Sequence, residues 1–258
     1  MKDYRGYLID LDGTMYRGSE PIEYAKEFIY ALRERNIPHL FVTNNSSKKP
    51  EQVAEKLQSM GIPAQTEQIF TTSMATAAYI NQQHNNPRVY MIGEEGLRYA
   101  LETVDATLVE ESADFVVVGI DRGITYEKLA KGCLNIRNGA KFVSTNGDVA
   151  IPTERGMLPG NGSLTSVLSV STGVKPVFIG KPESLIMELA LQKLGLTVDE
   201  TIMVGDNYNT DILAGIQTGM DTLLVFGGVT SKEDLEGVAH QPTYTVSTLQ
   251  EWIEKTLS

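Results

Sequence analysis

Short apolar runs rich in Val, Ile and Phe recur along the chain, each stopping at Gly, Asp, Asn or Thr: "YLID", "HLFVTNN", "IFTT", "VYMIG", "FVVVGID", "KFVSTNGD", "PVFIGK", "TIMVGD" and "TLLVFGG". Helical patterns separate most of them, among them "IEYAKEFIYALRER", "PEQVAEKLQSMG", "SMATAAYINQQH", "YEKLAKGCLNIRNG" and "ESLIMELALQKLG". Strands that alternate with helices of this length build right-handed βαβ units and a mostly parallel sheet. The strands are apolar throughout rather than alternating, which fits a sheet covered by helices on both faces. Such sheets bind ligands beyond the carboxyl ends of their strands, and the polar residues of this chain stand there.

Charge narrows what the ligand can be. The 258 residues carry a formal net charge of -11. A nucleic acid or an anionic membrane surface needs clustered Lys and Arg, so neither is expected as a partner. An anionic small ligand would need local positive charge, from a metal ion or a few placed lysines. Cys133 is the only cysteine, so no intrachain disulfide forms, and it reads as a small hydrophobe on a helix. His39, His84 and His240 match no zinc spacing. No run approaches the ~20 apolar residues of a membrane span, and "MKDYRGYLIDLDG" lacks the unbroken apolar core of a signal peptide. The expectation is a cytoplasmic protein. Polar, Pro-containing stretches at "NQQHNNPR" and "STGVKP" bracket a segment of domain size. They predict an inserted domain over 81–178 within a parent core of 1–80 and 179–258.

In "YLIDLDGT" the acids Asp10 and Asp12 stand two apart, so on a strand they face the same side. Two carboxylates that close together need a cation between them, and Mg²⁺, which prefers oxygen ligands, is a natural candidate. A turn at Asp12-Gly13 with an incidental acid before it explains this stretch equally well. "FVTNNSS" offers Thr43, Asn44 and Asn45 to an anion, or else an N-cap to the helix that follows Pro50. "FIGKPES" sets Lys181 at a strand end, where it is either solvated or a phosphate ligand. "MVGDNYNTDI" brings Asp206, Asn207 and Asp211, which also read as a capping and an exposed aspartate. Four strand ends with this chemistry together are hard to obtain from turns alone.

"LIDLDGT", "LFVTNN", "GKPE" and "VGDNYNTD" follow one another in the order of the motifs of the haloacid dehalogenase superfamily of phosphohydrolases, and from Leu8 to Asp211 the chain resembles that family. Asp10 and Thr43 are separated by only one loop, one helix and one strand. Between Thr43 and Lys181 lies far more chain than the core needs, so the insertion follows the second motif. With "STNGDVAIPTERGMLPGNGSL" in the insertion, the chain looks like the branch of NagD and the p-nitrophenyl phosphatases. The resemblance implies an α/β fold: a doubly wound, Rossmann-like parallel-sheet core with an inserted α/β cap of C2 type.

It also implies roles. Asp10 is the nucleophile that becomes an aspartyl-phosphate, and Asp12 the acid and base. Mg²⁺ is held by Asp10, the Asp12 carbonyl and Asp206. Thr43, Asn44, Asn45 and Lys181 bind the phosphoryl group, while Gly13, Asn207 and Asp211 support the site. Asp at position 12 favours phosphate over carbon–halogen chemistry. The implied substrate is a small phosphorylated metabolite such as a nucleoside monophosphate or sugar phosphate, with p-nitrophenyl phosphate as an artificial one. A phosphotransferase or phosphomutase, or a non-enzymatic phospho-aspartate signalling module, are the alternatives, and a homodimer is compatible with the resemblance. In the insertion, Asn146, Asp148 and Glu154 or Arg155 can face the leaving group, although each alone reads as an ordinary loop residue. "STNGDVAIPTERGMLPGNGS" looks too long and Gly/Pro-rich for a plain hairpin, and "MYRGSEP" reads as a flap over the site.

Overall fold

The computed structural model describes residues 2–257; the outermost residues of the expected core, 1 and 258, lie outside the described part. Contacts divide the chain into two compact units. The first comprises Met1–Thr43, Pro50–Phe70 and Lys181–Ser258, and the second Asn44–Lys49 and Thr71–Gly180. The helix Thr72–Gln83 and the short segment Asn44–Lys49 thus go with the second unit, whereas the sequence reading began the insertion at residue 81.

The first unit is built on a six-stranded sheet in the order Tyr244–Val246, Asp221–Val225, Thr201–Gly205, Gly6–Ile9, His39–Thr43 and Ile69–Thr71. Gly6–Ile9 pairs in parallel with Thr201–Gly205 on one side and His39–Thr43 on the other, and the pairing continues in parallel outward to Tyr244–Val246. Every residue of Gly6–Ile9, His39–Thr43 and Thr201–Gly205 is buried, which is why these strands read as unbroken apolar runs. Tyr7, Ile9, Phe28, Leu32, Phe41 and Trp252 share one core cluster, with the Trp252 indole N–H donating to the Tyr7 hydroxyl at 3.3 Å. Helix Ala25–Glu34 supplies Phe28, Ile29 and Leu32, three and four residues apart on one face.

The second unit has a five-stranded sheet of its own, ordered Val177–Phe178, Lys141–Ser144, Phe115–Val118, Arg88–Ile92 and Thr107–Leu108, with all pairs parallel. Two antiparallel hairpins escaped the sequence pattern: Tyr16–Arg17 with Glu20–Pro21 in the first unit, and Ala150–Thr153 with Gly156–Pro159 in the second. The latter corrects the expectation for "STNGDVAIPTERGMLPGNGS". Its centre is a tight hairpin, closed where the Thr153 hydroxyl donates to the Gly156 carbonyl at 2.8 Å and accepts the Arg155 N–H. Among the described residues no helix is long and apolar enough to cross a membrane.

His39 is buried at the start of its strand. Its Nδ1 lies 3.3 Å from the Ile37 carbonyl and its Nε2 lies 2.9 Å from the Gln68 amide nitrogen. A neutral ring that donates from Nδ1 and accepts at Nε2 satisfies both contacts. Burial pushes the imidazole below its usual 6.5, against the opposing pull of the Ile37 carbonyl. The unfolded chain then binds the extra proton, so this contribution to stability is complete above pH 6.5 and fades as pH falls below it. Titration followed by NMR is expected to place the His39 midpoint below 6.5; a midpoint at or above 6.5 contradicts this.

Candidate active site

Asp10 directly follows the strand Gly6–Ile9, Lys181 opens the return of the chain into the first unit, and Asp206 directly follows Thr201–Gly205. Gly6–Ile9 and Thr201–Gly205 are neighbours with Ile9 opposite Val204, so the parallel register sets Asp10 and Asp206 at the same end of the sheet. Asp211 sits in the π-helical turn Tyr208–Ile212, a geometry frequent at functional sites. Asn207 caps that turn: its side-chain oxygen accepts the Asn209 N–H, while its own N–H donates to Asp211 Oδ2 at 3.1 Å.

The Lys181 ammonium joins these elements. It donates to Asp10 Oδ1, to Asp211 Oδ1 at 2.7 Å and to the Val42 carbonyl at 3.1 Å. Asp10, Asp206 and Asp211 each bring a carboxylate oxygen into a set lying within 4.8 Å of one another, and all three are buried. The Thr14 hydroxyl stands 3.3 Å from Asp10 Oδ2 and 3.2 Å from Asp206 Oδ1, and the backbone N–H of Val229 donates to Asp206 Oδ2 at 2.7 Å. The backbone packs tightly around Asp206. A Cβ on Gly13, whose φ is +94°, would meet its carboxylate at 2.3 Å, and one on Gly228 would lie 1.8 Å from Oδ2. Only glycine fits either place.

Three buried carboxylates face one buried ammonium, which leaves two negative charges uncompensated if all ionise. Burial, reinforced by Asp211, pushes the Asp10 carboxyl well up despite Lys181. The same causes raise Asp206 to about 6. Burial alone would lower Lys181, but Asp10 and Asp211 outweigh it and hold the ammonium charged. An all-oxygen donor set with this excess of negative charge fits a hard divalent cation.

Asp12 departs from the expected geometry. The strand ends at Ile9, so strand alternation does not place the two acids; Asp12 bridges to Tyr16 in the following turn, and its carboxylate is not among the three clustered ones. It is exposed. Loss of hydration of the carboxylate against the surrounding protein still raises its pKa, while Lys56, Tyr16 and Lys181 pull the other way.

Thr43 ends its strand, buried, and Asn44 is the next residue, bound within the second unit. There the Asn44 amide donates to the Asp148 carboxylate at 3.1 and 3.3 Å, and Asn146 donates to the Asn44 carbonyl at 2.8 Å. Asn45 uses its side-chain oxygen inside its own turn, accepting the N–H groups of Ser47 and Lys48 at 3.0 Å each. Thr14, Tyr16, Lys56, Gly228 and Val229 belong to the arrangement without having been singled out as ligands from the sequence. Val229 contributes only a backbone N–H, which every non-proline residue carries, so no residue pattern could mark it.

The chain is similar to known proteins along nearly its whole length. Residues 7–107 match the model of the haloacid dehalogenase-like hydrolases, and residues 178–252 a second model of the same hydrolase type. The chain is 66% identical to the 5′-nucleotidase YutF of Bacillus subtilis over 98% of its own length and 99% of that protein's. It is 54% identical to an acid sugar phosphatase of Staphylococcus saprophyticus, over 99% of each chain. The solved structure of NagD from E. coli K-12 superposes with a TM-score of 0.92 at 30% identity, covering 97% of this chain and 98% of that one. The chain is therefore an enzyme, and belongs to the haloacid dehalogenase-like hydrolases, in their NagD-like phosphatase branch.

Proposed function

We propose that the protein is a Mg²⁺-dependent phosphatase that hydrolyses small phosphomonoesters through an aspartyl-phosphate on Asp10. The observation that carries this reading is the Lys181 ammonium held between Asp10 and Asp211 beside Asp206, inside an acidic protein. Lys181, itself donating to the Val42 carbonyl, fixes the direction of the Asp10 carboxylate, so one oxygen is presented for attack in a set orientation.

An Asp10 oxygen bonds to phosphorus as the bond to the ester oxygen breaks. The departing pair stays on that oxygen, which takes a proton from Asp12. In the second half Asp12, now a carboxylate, takes a proton from water while the water oxygen bonds to phosphorus. The bond to Asp10 breaks, orthophosphate leaves, and both acids return to their starting states. Thr43 and the following backbone N–H donate to the phosphoryl oxygens, and Lys181 neutralises them. Asp10, Asp206 and the Asp12 carbonyl would hold the Mg²⁺, which when bound would supply the positive charge that lets an anionic ester enter an acidic site. YutF and the acid sugar phosphatase support nucleoside monophosphates and sugar phosphates as the substrate classes.

A chelator is expected to abolish hydrolysis of p-nitrophenyl phosphate, with recovery on adding Mg²⁺. The same ion, at about a hundred times its dissociation constant, should raise the chelated protein's unfolding free energy by about 2.7 kcal/mol. That corresponds to a melting shift of roughly 5 °C for a chain of this size. Full activity in excess chelator, or an unmoved melting temperature, contradicts the metal assignment.

A further inference from the structure

Tyr16 and Lys56 lie outside every motif that suggested the chemistry, yet they stand against the residue that would move the protons. The turn Leu11–Tyr16 folds the chain back on itself: the N–H groups of Met15 and Tyr16 both donate to the Leu11 carbonyl, and the Gly13 N–H donates to the Tyr16 carbonyl at 2.8 Å. Tyr16 is thereby brought into a bridge with Asp12, and its buried hydroxyl is directed at Asp12 Oδ2 at 3.4 Å. Lys56, on helix Pro50–Ser59, sets its ammonium 3.7 Å from the centroid of the Tyr16 ring. A cation at that distance over an aromatic face is held by the ring's quadrupole. It fixes the ring and brings a positive charge close to Asp12.

We infer that Tyr16 and Lys56 form a positioning pair that orients the Asp12 carboxyl toward the ester oxygen and so sets how well the enzyme cleaves esters with poor leaving groups. The inference rests on the acid role of Asp12 in the function proposed above. Asp12 is exposed and its carboxylate lies outside the buried group of Asp10, Asp206 and Asp211, so its direction depends on what the turn provides. In the first half-reaction the bond to the ester oxygen breaks and the proton of Asp12 passes to that oxygen. A nitrophenolate leaves without needing that proton, whereas an alkoxide does not. Misdirecting Asp12 therefore penalises alkyl esters selectively.

The test compares p-nitrophenyl phosphate with a simple alkyl phosphate by kcat/KM, which reports steps up to the aspartyl-phosphate and leaves out its hydrolysis. In Tyr16→Phe the value for the alkyl ester should fall about 30-fold, against about threefold for the nitrophenyl ester, within the range a proton-transfer group contributes. Lys56→Gln should reproduce the bias more weakly, and Lys56→Arg, which keeps a cation over the ring, should behave like the parent and show no bias. Equal losses on both esters, or no loss on either, overturn the inference, because a merely structural role does not sense the leaving group. Asp12→Asn is the control: if that variant shows no leaving-group bias, the acid role of Asp12 fails, and with it the reading beneath this one.

Discussion

Asp10→Asn is expected to lower hydrolysis of every phosphomonoester by on the order of 10⁵-fold, the scale of removing a covalent nucleophile. The substitution is nearly isosteric, and the amide can still accept from Lys181 through its oxygen, so the surrounding packing has little reason to change. It also removes one of the crowded negative charges at the site, where Asp211 and Asp206 push against Asp10. The variant should consequently fold at least as well as the parent, and the loss belongs to chemistry. A second readout isolates the step. Acid-quenched parent enzyme mixed with labelled substrate should carry protein-bound phosphate, and Asp10→Asn should carry none. Turnover within tenfold of the parent, or label on the variant, would remove Asp10 from the role assigned to it.

Lys181→Met should have the second largest effect, and on two quantities at once. The ammonium is buried against two carboxylates, and the lysine is only 2% exposed. Removing one partner of such a group leaves buried charge uncompensated, at a cost of about 3–5 kcal/mol. Denaturation in chelator should show a loss of that order, partly recovered by Mg²⁺, because a divalent ion would neutralise the same carboxylates. Activity should fall by roughly 10³-fold even in excess Mg²⁺, since the phosphoryl oxygens lose a fixed cation as the transition state forms. Stability within 1 kcal/mol of the parent would mean that the carboxylates take up protons or solvent readily, and that the lysine is no keystone of the cluster.

Much of the fold was legible because burial on both sheet faces leaves a local trace. "YLID", "HLFVTNN" and "TIMVGD" became Gly6–Ile9, His39–Thr43 and Thr201–Gly205, all fully buried. Short or solvated strands leave no such trace: Tyr16–Arg17, Thr107–Leu108, Tyr244–Val246 and the hairpin Ala150–Thr153 with Gly156–Pro159 passed unseen. Apart from Tyr16 and Val246 their side chains are half exposed or exposed, so no run of apolar residues announces them.

For the candidate site, the residue types were visible and the partners were not. Asp10, Asp206, Asp211 and Lys181 stand out as polar residues closing or following apolar runs, and their order alone pointed to the family. Nothing in the order says that Lys181 lies between Asp10 and Asp211, or that Asp12 leaves the carboxylate cluster to meet Tyr16. Nor does it say that Asn44 is tied to Asp148, more than a hundred residues away. The sequence by itself determined the parallel α/β architecture, the family and the candidate reactive groups, because periodicity and side-chain chemistry are local properties of a chain. Only the tertiary structure decided which charge faces which. Ion pairs and backbone donors such as the Val229 N–H act over a few ångströms, between segments that the sheet register brings together.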